Sequence, residues 1–319
     1  MHQNEDRPDR GGEAAPAAAT VEYAGKSTDQ PQNVGERART PFFVLEGEQY
    51  LPTKASRGYW SDDSINGRLI GGLIGFALEQ AFGEPEFVPA RFCVDLLRLP
   101  PRKPLRVETK LVRAGGRLKL ADAELFADDV LIARGSCLFL RRSAATDAPT
   151  WHTPAWDAPP PDEVLTEERS LPQWELRPIP PEARAMQRPP SAAARADGAE
   201  FAAAVNRPVL GALTPFDARQ AWIRETRELV GGYAHTPFTR IAAVADFASP
   251  LANSSESSID FINTDITLYL HRLPATEWLG FDLVKHHASD GIAIGECWLY
   301  DEAGALGTVT VAALAQRRR

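Results

Sequence analysis

The side chain in this sequence best placed for acid–base chemistry is Asp246, inside the stretch Thr239–Asn253, TRIAAVADFASPLAN. Ile241, Ala242, Ala243, Val244, Ala245, Phe247 and Ala248 surround it. A carboxyl group among apolar neighbours loses hydration, which raises its pKa and makes its anion a stronger general base. The plainer alternative is that Asp246 lies on the solvated strip of an amphipathic helix. Other chemistries find little support. The chain has no G-x-S-x-G elbow, no G-x-G-x-x-G turn and no P-loop, which argues against a serine hydrolase and against the usual nucleotide cradles. His286 and His287 are adjacent, so a strand would send them to opposite faces, and neither His235 nor His271 stands at metal-ligand spacing from carboxylates. No metal site and no cofactor are expected. Cys93, Cys137 and Cys297 are odd in number, far apart and set among apolar residues, the pattern of reduced core thiols.

The elements that must position Asp246 can be read around it. Its own stretch reads as a buried helix stopped by Pro250. An earlier helix is expected from Ser64, where Ile65, Leu69, Leu73 and Ala77 form one line and Ile70, Ile74, Leu78 and Phe82 a second beside it. Gly67, Gly71, Gly72 and Gly75 weaken that helix, and the compensation is close approach of another backbone or of a ligand. Ahead of it, Phe42–Leu51 has strand composition. Four strands are expected after it, at Ala90–Leu99, Leu105–Arg113, Lys119–Ala127 and Val130–Arg141. A strand, a long helix and a meander of strands make an α+β unit, a sheet wrapped around one helix.

That unit is written twice. A shift of 174 positions sets Phe42 on Phe216, Gly58 and Tyr59 on Gly232 and Tyr233, Arg98, Leu99 and Pro100 on Arg272, Leu273 and Pro274, and Phe126 on Tyr300. The same register places Asp246 opposite Gly72, so only the second copy carries an acid in its central helix. The organisation expected is a disordered tail over residues 1–40, poor in large apolar side chains, then a first unit over 41–142. A Pro- and Ala-rich connector over 143–213, packing partly through Trp151, Trp156 and Trp174, leads to a second unit over 214–319.

Three segments carry a family likeness: VPARFCVDLLRLP (Val88–Pro100), FINTDITLYLHRLPATEWLGFDL (Phe261–Leu283) and LYDEAGALGTVTVAAL (Leu299–Leu314). With the doubled unit they resemble the double-hotdog acyl-CoA thioesterases, over about Pro41–Arg142 and Leu213–Arg317. The resemblance implies a double hotdog fold, an acyl-CoA substrate, a homodimer paired through sheet edges, and hydrolysis by an activated water. In the family that water is held by an Asp on the second central helix, a Ser or Thr at the start of the next strand, and a Gln on the last strand. The Asp matches Asp246, the Ser or Thr position falls on Asn263, and the Gln position falls on Ala312. The resemblance therefore implies Asp246 as base and Asn263 as the orienting group. Thr264, Thr310 or backbone N–H groups would have to supply what Ala312 lacks. Gly71 and Gly72 would line the substrate groove, and Tyr269, Phe247 and Trp278 are candidate walls for the acyl chain, although core packing explains these aromatics equally well. Losing a positioned donor lowers a rate by on the order of 100-fold to 1000-fold, so an acyl-CoA-binding protein with a weakened site is the competing expectation. Related hydratases pair their Asp with a His five residues on, where this chain has Leu251.

Composition bounds the rest. The chain has 319 residues, 44% hydrophobic and 24% charged, and a formal charge of -8, which disfavours duplex nucleic acid as a partner. No apolar run is long enough to span a membrane and the N-terminus lacks a signal pattern, so a cytoplasmic location is expected.

Overall fold

The computed structural model describes residues 39–144, 147, 155–156, 158–164, 174–180, 219–254 and 259–316. Residues 1–38 of the tail expected to be disordered, Trp151, Phe216, most of the connector and the terminal arginines lie outside them.

The first repeat opens with a hairpin, β1 (Phe43–Glu46) and β2 (Gln49–Pro52). The apolar run Phe42–Leu51 is thus two strands rather than one, because Gly47 takes a φ of +60° and turns the chain back on itself. Helix α1 (Gly67–Phe82) follows, capped by the Asn66 side chain, and is buried from Arg68 to Leu78. Four long strands succeed it: β3 (Phe87–Leu96), β4 (Leu105–Ala114), β5 (Leu118–Ala127) and β6 (Val130–Arg141). The boundaries fall close to those expected, since alternating apolar side chains must face the helix.

The connector holds a strand that its sequence does not advertise, β7 (Trp174–Pro178), which pairs with β8 (Gln220–Glu225). It therefore belongs in part to the second repeat. The expectation that its tryptophans pack is met by Trp156, stacked 4.4 Å from Tyr300, and by Trp174, edge-on to Phe247 at 5.4 Å.

The stretch expected to be one helix around Asp246 is three pieces: α2 (Pro237–Val244), a 3-10 turn (Ala245–Phe247) and α3 (Ala248–Asn253). Pro250 does not stop it. It occupies the first turn of α3, where a backbone N–H has no partner within the helix and proline is tolerated. Strands β9 (Phe261–Asn263), β10 (Asp265–Leu270), β11 (Leu279–Ser289), β12 (Ile292–Asp301) and β13 (Gly304–Ala315) complete the chain.

All twelve pairs of neighbouring strands are antiparallel, and they form one sheet in the order β1-β2-β4-β5-β6-β3-β10-β13-β12-β11-β8-β7, with β9 also on β13. The two repeats meet where β3 pairs with β10. The doubling is exact in the strands: β9, β11, β12 and β13 start at 261, 279, 292 and 304, each 174 beyond β3, β4, β5 and β6. It is not exact in the helices, whose N-caps, Asn66 and Thr236, stand 170 apart. The second copy thus has four more residues between cap and strand. Counted from the caps, Asp246 corresponds to Phe76 rather than to Gly72.

The two central helices run antiparallel against each other, with Gly67 beside Asp246, Gly71 beside Ala242, and Gly75 beside Ala242 and Phe238. At the opposite end the hydroxyl of Thr236 donates to Glu79 at 2.6 Å. One apolar core spans both repeats, from Phe42 and Leu69 to Phe247 and Val311.

Candidate active site

Asp246 sits in the 3-10 turn between α2 and α3, 9% exposed. Its carboxyl faces two other elements. Oδ1 accepts a hydrogen bond from Nδ2 of Asn263, at the end of β9, at 2.5 Å. Oδ2 lies on the first residue of α1, 3.7 Å from where a Cβ on Gly67 would be. Any larger residue at position 67 would approach the carboxylate, and the backbone there presents the positive end of a helix sixteen residues long. Burial drives the pKa of Asp246 up to about 6, against the opposing pull of the Asn263 hydrogen bond and the Arg68 charge. A carboxyl in this state is half ionised just below neutrality, the condition a general base requires.

Asp246 and Asn263, the two residues expected to do chemistry, are therefore in contact. The others are placed differently. Gly71 and Gly72 face neither carboxylate nor groove: a Cβ on Gly72 would stand 3.1 Å from Ala243, and one on Gly71 3.3 Å from Ile266 and 3.6 Å from the carbonyl of Ala242. These glycines let two helices touch, which is the packing alternative for them. Thr264 follows Asn263 directly, but its hydroxyl and its N–H both donate to the carbonyl of Ala312, at 3.1 and 2.8 Å. Its function there is to tie β9 and β10 to β13. Tyr269 lies on the outer face of β10, 51% exposed, because the inward positions are Ile266, Leu268 and Leu270. It cannot line a groove beside the helices. Phe247 is buried against Trp174 and Phe281, and Trp278 is buried beneath Arg177 and Arg224, both as core.

The third corner of the site also needs correction. Directly opposed residues of antiparallel strands share a face, and Asn263 is paired with Ala313, not Ala312. Ala313 is buried, whereas the neighbouring Ala312 directs its side chain to the opposite face of the sheet. The residue beside the Asp246–Asn263 pair is thus Ala313. Like Ala312, it offers no hydrogen bond.

Sequence reading missed Arg68 and Glu225. Arg68, the second residue of α1, is completely buried and ion-paired with Glu225 at the end of β8. Its Nη1 also donates to the carbonyl of Ala243 at 3.2 Å. The signal was present, since Arg68 is a charge inside an apolar helical run, but its partner is 157 positions away. Among the described residues no group of three or more His, Cys, Asp or Glu side chains could hold a metal ion. The three cysteines are unpaired, and burial pushes the thiols of Cys137 and Cys297 well above the ordinary range.

Comparison with known proteins bears on the family and the fold. Residues 56–140 match the model of the acyl-CoA thioesterase N-terminal domain and residues 180–314 that of the acyl-CoA thioesterase C-terminal domain. No curated protein matches the sequence. Among solved structures, the acyl-CoA thioesterase II TesB2 of Mycobacterium marinum is 18% identical with a TM-score of 0.58, over 86% of this chain and 95% of that one. The tesB protein of Mycobacterium avium subs paratuberculosis is 12% identical with a TM-score of 0.56, over 86% and 96%. A hot dog fold protein of unknown function from Alicyclobacillus acidocaldarius is 17% identical with a TM-score of 0.57, over 87% and 96%. Such identities speak to fold, and the fold is the double hotdog, one unit per repeat. With its two repeats matched by the two domains of one family, in order and over most of the described residues, this chain belongs to the acyl-CoA thioesterases.

Proposed function

We propose that this protein hydrolyses an acyl-CoA thioester by water, with Asp246 as general base and Asn263 as the group that orients it. The observation that carries the reading is the position of the Asp246 carboxylate. It is buried, bonded by Asn263 and turned toward the N-terminal residue of the other repeat's helix. A water between this carboxylate and the thioester carbonyl would give its proton to Asp246 as its oxygen bonds to carbon. Negative charge then gathers on the carbonyl oxygen, and the N-terminal end of α1 is a positive electrostatic source for it. Collapse of the tetrahedral adduct breaks the carbon–sulfur bond, and the proton on Asp246 passes to the departing thiolate. The products are the free acid and coenzyme A, and Asp246 returns to its ionised form.

Release of free thiol from a panel of acyl-CoAs, for the wild type and for Asp246→Asn, tests this. Hydrolysis that persists undiminished in the variant would remove Asp246 from the mechanism. A second reading, an acyl-CoA-binding protein of low turnover, is favoured by one observation: Ala313 leaves the site with a single side-chain donor, Asn263. A marked rate gain on Ala313→Gln, with none on Ala312→Gln, would show that this corner limits turnover.

Among the described residues no helix is long and apolar enough to cross a membrane. A cytoplasmic location is proposed on the free thiols Cys93, Cys137 and Cys297. A homodimer is proposed on exposed Ile292 and Leu314, which are paired across β12 and β13. Light scattering of the purified protein checks it.

A further inference from the structure

We propose that Arg68, clamped by Glu225, is the positioning residue of this site: it fixes the turn that carries Asp246 and lends its positive charge to the ionised carboxylate. The inference rests on Asp246 being the base.

Five contacts support it. Arg68 follows Gly67, the residue against which Oδ2 of Asp246 lies, so its backbone is part of the wall of the site. Its guanidinium donates to the carbonyl of Ala243, three residues before Asp246, near the point where α2 gives way to the 3-10 turn. A helix that tightens there leaves a carbonyl to be satisfied from outside, and Arg68 satisfies it. The guanidinium is also held between two rings, 4.8 Å from the centroid of Phe42 and 4.5 Å from that of Trp174. Trp174 packs edge-on against Phe247, the residue after Asp246. Arg68 therefore governs the chain on both sides of the carboxylate, directly at Ala243 and through Trp174 at Phe247.

Glu225 keeps it there. One carboxylate oxygen takes the guanidinium and the other accepts the N–H groups of Thr226 and Arg227, at 2.8 and 3.2 Å, so the glutamate cannot turn away. A buried guanidinium that lost every acceptor here would be expelled or would drag the helix end with it, whereas Glu225→Gln keeps an acceptor oxygen for it without the charge. Two groups act on the Asp246 carboxyl, Asn263 of β9 and Arg68 of α1; beside the guanidinium stand Glu225 of β8 and His235, whose Nε2 meets the carbonyl of Arg227 at 2.9 Å. Burial holds His235 below its ordinary range, leaving it neutral at pH 7. Among the described residues Arg68 is therefore the cation that acts on Asp246, and Glu225 tempers it.

The test is direct titration of Asp246 by carbon NMR of protein labelled at the aspartate carboxyl, with the signal assigned by its loss in Asp246→Asn. It is read in wild type, in Glu225→Gln, which nearly keeps the shape and removes the tempering anion, and in the double variant Arg68→Met/Glu225→Leu, which replaces both charges by apolar groups of similar size. Thermal unfolding confirms that each variant is folded. The midpoint is expected to fall by about one unit in Glu225→Gln and to rise by about one unit in the double variant. Thiol release by the double variant should fall on the order of tenfold in kcat with little change in KM. Midpoints that do not move in a folded Glu225→Gln protein overturn the proposal. Because the titration needs no turnover, a wild type that hydrolyses nothing would refute the thioesterase reading while leaving this measurement to decide the role of Arg68.

Discussion

At the scale of single residues the molecule turns on one buried carboxyl group whose ionisation is unfavourable and useful. Asp246 must be anionic to take a proton from water, and burial resists that, lifting its pKa to about 6. The rate of thioester cleavage should therefore rise with pH through a limb near 6 and flatten above it, and Asp246→Asn should reduce it by about 100-fold or more at pH 8. A pH profile lacking that limb would separate the residue from the rate. The same shift has a consequence for stability, with the opposite sign to most carboxylates. The folded pKa lies above the unfolded one, so the folded state binds the proton more tightly and the associated stability is present below about pH 4 and lost as pH rises through 6. At pH 8 the buried anion should destabilise the protein by about 3 kcal/mol. Asp246→Asn should then melt higher than wild type at pH 8, with the advantage disappearing at pH 4. Denaturant unfolding at the two pH values measures it, and an equal difference at both would mean that the charge is not the cause.

Among elements, the decisive contact is between α1 and α2, and small residues make it. A Cβ on Gly75 would stand 2.9 Å from that of Ala242. Alanine gains about 1 kcal/mol in helix propensity over glycine, but overpacking a filled core costs about 1–3 kcal/mol, so Gly75→Ala should be net destabilising. Adding Ala242→Gly, which vacates the opposing space, should recover part of the loss. If the double variant is no more stable than the sum of the single ones, the two positions do not share that space. This is also where sequence and structure can be weighed. The periodicity of Ile65, Leu69, Leu73 and Ala77 showed α1, and β6 ends where expected, because buried faces repeat at fixed intervals and local pattern carries them. The broken helix around Asp246 was hidden, since Pro250 marks a stop and a fresh first turn alike. Tyr269 could have been read correctly: Ile266, Leu268 and Leu270 alternate with it and claim the inner face. Ala313 and the Arg68–Glu225 pair could not, because strand register and ion pairs between distant segments are properties of the assembled sheet.

For the whole molecule, neither repeat owns the site. Asp246 and Asn263 come from the second, Gly67 and Arg68 from the first, and Glu225 of the second pairs with Arg68 of the first. The backbone is shared as well: β3 pairs with β10, and the N–H groups of Phe42 and Phe43 donate to the carbonyls of Glu228 and Leu229 at 3.0 and 2.9 Å. Because one core runs through both repeats, opening either would expose apolar surface and strand edges of the other. Residues 39–319 should consequently unfold in one cooperative step, with calorimetric and van't Hoff enthalpies that agree. The second repeat produced alone should neither fold stably nor release thiol, although it carries both Asp246 and Asn263. Two resolved heat-absorption peaks, or a folded and active isolated second repeat, would show that α1 is dispensable to the carboxylate it touches.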